Sequence, residues 1–359
     1  MKRVLSGTLI AIACLILFSC HKHDTSPTTA MGAPPFDGLY VLTFEHQDTS
    51  SLSLYNLNTR QSTPYKFSDV NKQVLGNGAT DLEIYGTKMY IALSNSCLIA
   101  ILDAQTGKLI KKYSLGTPTL PKRPQKLTFY KNNVYITCNE GTIDIMDTLS
   151  LTVNSTIPIP GHGYEIGVAV ANNKLYVANS GGNRDTTVSV IDLATNQVIK
   201  TIDVLPSPNL VTADSYGNVY VLSYFTDDYM EYFIRLGGMS IIDSRTDEVK
   251  NDFPSNGGVG GPITSNGELV YYANEPKKIS VYNARTQSIV TDNFVTDGTD
   301  IQNLADICVN PDTGEVYIAD VRGYTSNGVV DVFDKTGKLE YSIATGAPPI
   351  KLKFFKHRS

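Results

Sequence analysis

Seven times along this chain a tyrosine stands inside a short apolar strand, at Tyr40, Tyr90, Tyr135, Tyr176, Tyr220, Tyr271 and Tyr317. Each is followed by an acid or amide that closes a second apolar strand: Asn56, Asp103, Asp147, Asp192, Asp243, Asn283 and Asp334. The clearest copy runs Val168-Ala169-Val170, a turn at Asn172-Asn173, Leu175 to Asn179, Val188 to Asp192, then Gln197 to Ile202. A period of about 45 residues holding four short strands is the sequence signature of a propeller blade. The helical period of 3.6 does not appear after the N-terminal segment. The expectation is an all-β, seven-bladed β-propeller. A tyrosine repeated in every blade packs against the next blade, and an Asp or Asn at a strand end caps the following turn through its side chain. Both features read as scaffold, because a single functional site requires asymmetry.

The two ends of the array complete each other. The first copy opens at Gly38-Leu39-Tyr40-Val41, a second strand with no inner strand before it. Residues Pro348 to Phe354 (PPIKLKF) are an orphan matching the inner-strand stretch Pro124 to Phe129 (PQKLTF). Pairing the two predicts a ring sealed by strands from both termini, which leaves no long open edge.

The first twenty residues speak to the compartment. Lys2 and Arg3 precede an apolar run from Leu9 to Phe18, and Leu17-Phe18-Ser19-Cys20 closes it. That is the layout of a secretory signal, and the run is shorter than the roughly 20 residues a membrane span needs. Leu-Phe-Ser-Cys resembles a bacterial lipobox, which implies cleavage before Cys20, a lipid on that cysteine and an outer-membrane address, its leaflet undecided. The expected organisation is a signal peptide over 1–19, a lipidated cysteine and Pro/Thr-rich tether over 20–37, and the propeller over 38–359. Losing Lys2 and Arg3 moves the formal net charge from −5 to −7. No basic patch stands out, which argues against nucleic acid as a partner.

In such a blade, with strands A to D counted outward from the axis, the A–B and C–D turns share one face. They are short and alike here, as at Tyr85-Gly86-Thr87, Asn132-Asn133 and Asn266-Gly267. The B–C and D–A loops share the other face and differ from blade to blade, so that variable face is where function is expected. Its most distinctive stretch is an insertion in the fifth copy, Tyr224-Phe225-Thr226-Asp227-Asp228-Tyr229-Met230-Glu231-Tyr232-Phe233-Ile234-Arg235. Aromatics with Arg and Met are enriched at recognition hot spots; an extended B–C hairpin packing its aromatics on the adjacent blade is the alternative. Further candidates on this face are His162 and Tyr164 in a D–A loop, Arg123 in another, and Arg184, Asp185, Arg322 and Tyr324 in B–C loops.

Much chemistry is missing from the sequence. There is no phosphate loop, His-Glu-x-x-His helix or Gly-x-Ser-x-Gly elbow. His46 and His162 are the two histidines of residues 38–354, too few for a multi-histidine metal site, and Asp227, Asp228 and Glu231 would suit Ca²⁺ only as an ordinary acidic loop does. No metal and no cofactor is expected, and the lack of tryptophan removes a tryptophan-derived quinone. Cys97 and Cys138 lie towards the variable face in neighbouring copies, where a disulfide is open to them in an oxidising compartment; Cys308 reads as buried in an inner strand.

The repeated Tyr-Val-Ala-Asn … Val-Ser-Val-Ile-Asp-Leu-Ala-Thr-Asn-Gln-Val-Ile pattern of residues 176–199 resembles the YncE-like, surface-layer-type propellers, across essentially residues 38–354. The resemblance implies the fold, and fold alone does not imply function. Some outer-membrane lipoproteins of that family capture cobalamin for a TonB-dependent transporter, and related seven-bladed folds include lactone hydrolases. Three functions follow as expectations. The first is a monomeric, non-catalytic module holding a small-molecule ligand or a transporter-type membrane protein. The second is an envelope protein–protein scaffold. The third is a hydrolase in which His162 and an acidic neighbour act as general acid and base.

Overall fold

The computed structural model describes residues 38–44, 49–182, 184–224, 226–228, 233–235, 237–255, 261–275, 277–323 and 327–356. The lipobox cysteine Cys20 and the tether lie outside the described residues, as do Phe225, Tyr229, Tyr232 and Tyr324.

Seven antiparallel sheets form seven blades. Blade 1 takes its inner strand A from Pro349–Phe355 and continues with Gly38–Phe44, Thr49–Asn56 and Gln61–Thr63. The closing pair runs from Gly38↔Phe355 to Thr43↔Pro349, so the predicted seal is present within one residue of its expected start. Blades 2 to 4 open on strands A at Ala79–Tyr85, Pro124–Tyr130 and Glu165–Ala171. Blades 5 to 7 open at Pro208–Ala213, Ile263–Asn266 and Leu304–Val309. The seven inner strands surround an axial cavity of about 460 Å³.

The core is divided among the seven blade interfaces. Each ring tyrosine is at least 96% buried and sits among apolar residues of the following blade: Tyr40 with Leu82 and Met89, Tyr176 with Val219 and Val221, Tyr317 with Leu39 and Val41. The Tyr40 hydroxyl donates to Ala104 O at 2.8 Å, while that of Tyr90 is buried without a hydrogen-bond partner. Burial pushes both phenols up to about 12. All seven strand-end acids and amides cap their turns. Asp147 Oδ1, for example, accepts from the amides of Leu149 and Ser150, and Asn283 Oδ1 from those of Arg285 and Thr286.

Among the described residues one helix, Lys66–Asn71, departs from the all-strand expectation. The outer strand of blade 1 is only three residues long. The helix follows it and places Phe67, 1% exposed, in the core shared by blades 1 and 2 beside Leu52 and Leu75. It fills space that a full outer strand would otherwise cover, a tertiary demand that no periodicity in six residues can signal.

Candidate functional site

The variable face of blades 3 and 4 gathers His162, Tyr164, Arg184 and Asp185. The D–A loop between them carries His162 and Tyr164, and the B–C loop of blade 4 carries Arg184 and Asp185. His162 Nδ1 lies 2.5 Å from Asp185 Oδ2. Burial acts to raise the Asp185 pKa, but donors from Thr187, His162 and the Thr186 amide outweigh it and hold the carboxyl below its ordinary value. An ionised carboxylate only accepts, so His162 presents its N–H at Nδ1 and keeps Nε2 for another partner. The Ser207 amide donates to Asp185 O at 2.8 Å, which ties the loop entering blade 5 to the same point.

Tyr164 is the exposed aromatic of the group, at 47%. Its backbone is left-handed, with φ 59°, a conformation that costs a non-glycine residue free energy and that recurs at functional loops. The turn is fixed by its amide donating to Asn139 O and its carbonyl accepting from the Ser180 amide. Gly182 leaves the space beside the ring open: a Cβ there would stand 3.7 Å from Tyr164 Cε2. Arg123 completes the patch by donating through its amide and Nε to Glu140 at 2.8 and 3.0 Å, and the Arg184 side chain is exposed at the rim. Sequence reasoning found His162, Tyr164, Arg123, Arg184 and Asp185 but not Glu140, whose partner is visible only once the blade 2–3 loop folds over blade 3.

The other candidates fall elsewhere. Arg322 is in blade 7, across the ring. Its guanidinium stands 3.6 and 3.9 Å from Asp320 and Asp331, two carboxylates buried to 0% and 1% exposure. Burial, with Asp320 adding to it, raises the Asp331 pKa. Arg322 is therefore engaged as the counter-ion of a buried acidic pair, which alters its reading as a free surface group. In the fifth-copy insertion, Thr226–Asp228 pairs with Phe233–Arg235 as a separate two-stranded hairpin and not as a prolongation of the blade. The Tyr224 amide at its base donates to Ser207 O. The side chains of Asp227, Asp228 and Arg235 lie outside the described residues. Among the described residues no group of three His, Cys, Asp or Glu is placed to hold a metal. Cys97, Cys138 and Cys308 are all free thiols, so the Cys97–Cys138 disulfide left open by the sequence is not formed. Cys308 lines the axial cavity and is only partly buried, against expectation.

Residues 37–346 match the family described as a domain of unknown function, DUF5074. The chain belongs to the DUF5074 family. The match spans all seven blades of this DUF5074 chain and stops just short of the closing strand. No curated protein matches it. Among solved structures it is similar to a quinonprotein alcohol dehydrogenase-like protein of Bacteroides thetaiotaomicron, at 16% identity and TM-score 0.63, covering 89% of this chain and 78% of that one. It is also similar to the dihydro-heme d1 dehydrogenase NirN, at 10% identity and TM-score 0.60 over 90% and 76% of the two chains. The computationally designed Ika8 protein matches at 15% identity and TM-score 0.57, over 90% and 98%. Likenesses this distant establish the propeller fold and nothing of its chemistry.

Proposed function

We propose that this DUF5074 chain is a lipid-anchored envelope module that binds a small ligand or a transporter-type partner on the variable face. The observation that carries the reading is the cluster of His162, Asp185, Tyr164 and Arg123, a held imidazole, an exposed strained aromatic and a cation, on one face of an otherwise uniform ring. Gly38 opens a strand B at the turn face, on the opposite side of the ring from the cluster. Cobalamin, implied by the resemblance to YncE-like lipoproteins, is the first ligand to test.

The experiment is calorimetric titration of corrinoids and other nutrients, together with pull-down of membrane proteins. Tyr164→Ala, His162→Ala and a Tyr229→Ala/Tyr232→Ala double variant accompany the unaltered chain. Saturable binding lost in one of these variants supports the reading; the absence of both ligand heat and a captured membrane partner overturns it. The His162–Asp185 pair also favours a second reading, hydrolysis with His162 as general base. Turnover of a lactone panel that disappears in His162→Ala would put that reading first.

A further inference from the structure

The inner strands align a ring of seven residues around the axis. In every blade the residue after the ring tyrosine pairs with a strand A residue, as in Ile91↔Leu82, Ile136↔Leu127, Ile318↔Ile307 and Val41↔Leu352. The residues just before those partners are, from blade 1 to blade 7, Lys351, Asp81, Lys126, Gly167, Leu210, Pro262 and Asp306, and all seven line the axial cavity. Four adjacent blades thus carry charges of alternating sign. Lys351 Nζ lies 3.4 Å from Asp306 and 3.9 Å from Asp81, and Lys126 Nζ lies 3.6 Å from Asp81. The remaining three blades carry none.

This arc is firmly set yet incompletely satisfied. Asp81 Oδ2 accepts from the Leu127 amide and Asp306 Oδ2 from the Leu352 amide, which locks each carboxylate to the next blade. Asp81 Oδ1 has no hydrogen-bond donor, although its side chain is 3% exposed. Burial opposes the charge of Lys351, but Asp306, Asp81 and Glu83 outweigh it and keep the ammonium protonated. Two residues further along the strands, Lys353 pairs with Glu83, while Thr128, Thr212 and Thr264 offer hydroxyls to the same cavity.

We propose that the axial cavity is a binding site for a small zwitterion of the amino-acid class. Four alternating charges in a row end on opposite signs, with Lys126 beside Gly167 and Asp306 beside Pro262. A carboxylate fits against Lys126 and Lys351, an ammonium against Asp81 and Asp306, and the apolar remainder against Leu210 and Pro262. A simple anion would meet three carboxylates here and a simple cation three ammonium groups. A wholly apolar guest would strip water from all six charges, which is costly. The volume, about 460 Å³, is within the range of small-molecule sites.

The test titrates the full chain with glycine, alanine, leucine and phenylalanine by calorimetry and thermal shift, with leucinamide and 4-methylpentanoate as partners lacking one charge. One amino acid should bind saturably, and its singly charged analogues should bind at least about tenfold more weakly, the loss expected for one close charge pair. Thr264→Leu, which narrows the uncharged wall, should abolish binding with the fold intact. His162→Ala, on the variable face, should leave binding unchanged, which separates this site from the one proposed above. Lys126→Met should weaken binding about tenfold; if that variant does not fold, Thr264→Leu and Thr212→Leu still decide. Absence of saturable binding by every amino acid, or binding indifferent to both threonine variants, would overturn the proposal and leave the arc as a clasp between blades.

Discussion

Raising the pH should open this propeller cooperatively, through its tyrosines. In the folded ring the phenols keep their protons: Tyr40 and Tyr90 are pushed up to about 12, chiefly by burial, and Tyr135, Tyr176, Tyr220, Tyr271 and Tyr317 are shifted in the same direction. The unfolded chain releases those protons near 10, so above that pH ionisation favours unfolding. The stabilisation is complete below pH 10 and is lost as the pH climbs towards 12. Two units correspond to about 3 kcal/mol each for Tyr40 and Tyr90. Together they approach the whole stability of a typical domain, about 5–15 kcal/mol. The assay follows phenolate absorbance and far-UV circular dichroism in parallel between pH 8 and 12.5. Tyrosine fluorescence is a clean third probe, since the chain has no tryptophan. The ring set should ionise in one step with loss of the sheet signal. Tyr90→Phe should cost almost nothing at neutral pH, because that hydroxyl has no partner, and should shift the alkaline midpoint upward. Tyr40→Phe should cost about 1 kcal/mol by leaving Ala104 O without its donor. Smooth ionisation of every tyrosine below pH 12 with the sheet signal retained would refute the reasoning.

Lys351→Met removes the cation between two buried carboxylates and should cost about 3–5 kcal/mol in urea unfolding at pH 7. Adding Asp306→Asn should recover part of that loss, and a cost below about 1 kcal/mol would contradict the network. Alkylation followed by mass analysis should find Cys97, Cys138 and Cys308 unpaired, with the buried Cys138 labelled fully only in denaturant. Burial pushes the Cys138 thiol up.

Blade number and the sealing strand were legible because they repeat. Seven tyrosines and seven turn-capping acids or amides are local signals: each tyrosine packs on the next blade and each acid or amide caps a turn of its own blade. The charge arc was not legible, although its members occupy one register position. Asp81, Lys126, Asp306 and Lys351 lie beside register shifts in the pairing of the inner strands, and they come from four different blades. The helix at Lys66–Asn71 escaped notice because it answers a vacancy between blades and not a pattern of its own. On the variable face the histidine and tyrosine stood out by scarcity and loop position, but the pairing of His162 with Asp185 depends on two loops meeting from different blades.

The way blade 1 is assembled governs when the ring can become whole. Gly38–Phe44 is synthesised before the other six blades, and its inner neighbour Pro349–Phe355 only after them. Until then one edge of that strand offers its amides and carbonyls to any chain nearby, and the arc of charges lacks Lys351. A nascent molecule therefore passes through an interval with its ring unclosed, vulnerable to pairing with its own kind. Speed of closure, more than strength of any single blade, would then set how much of the protein survives at high expression.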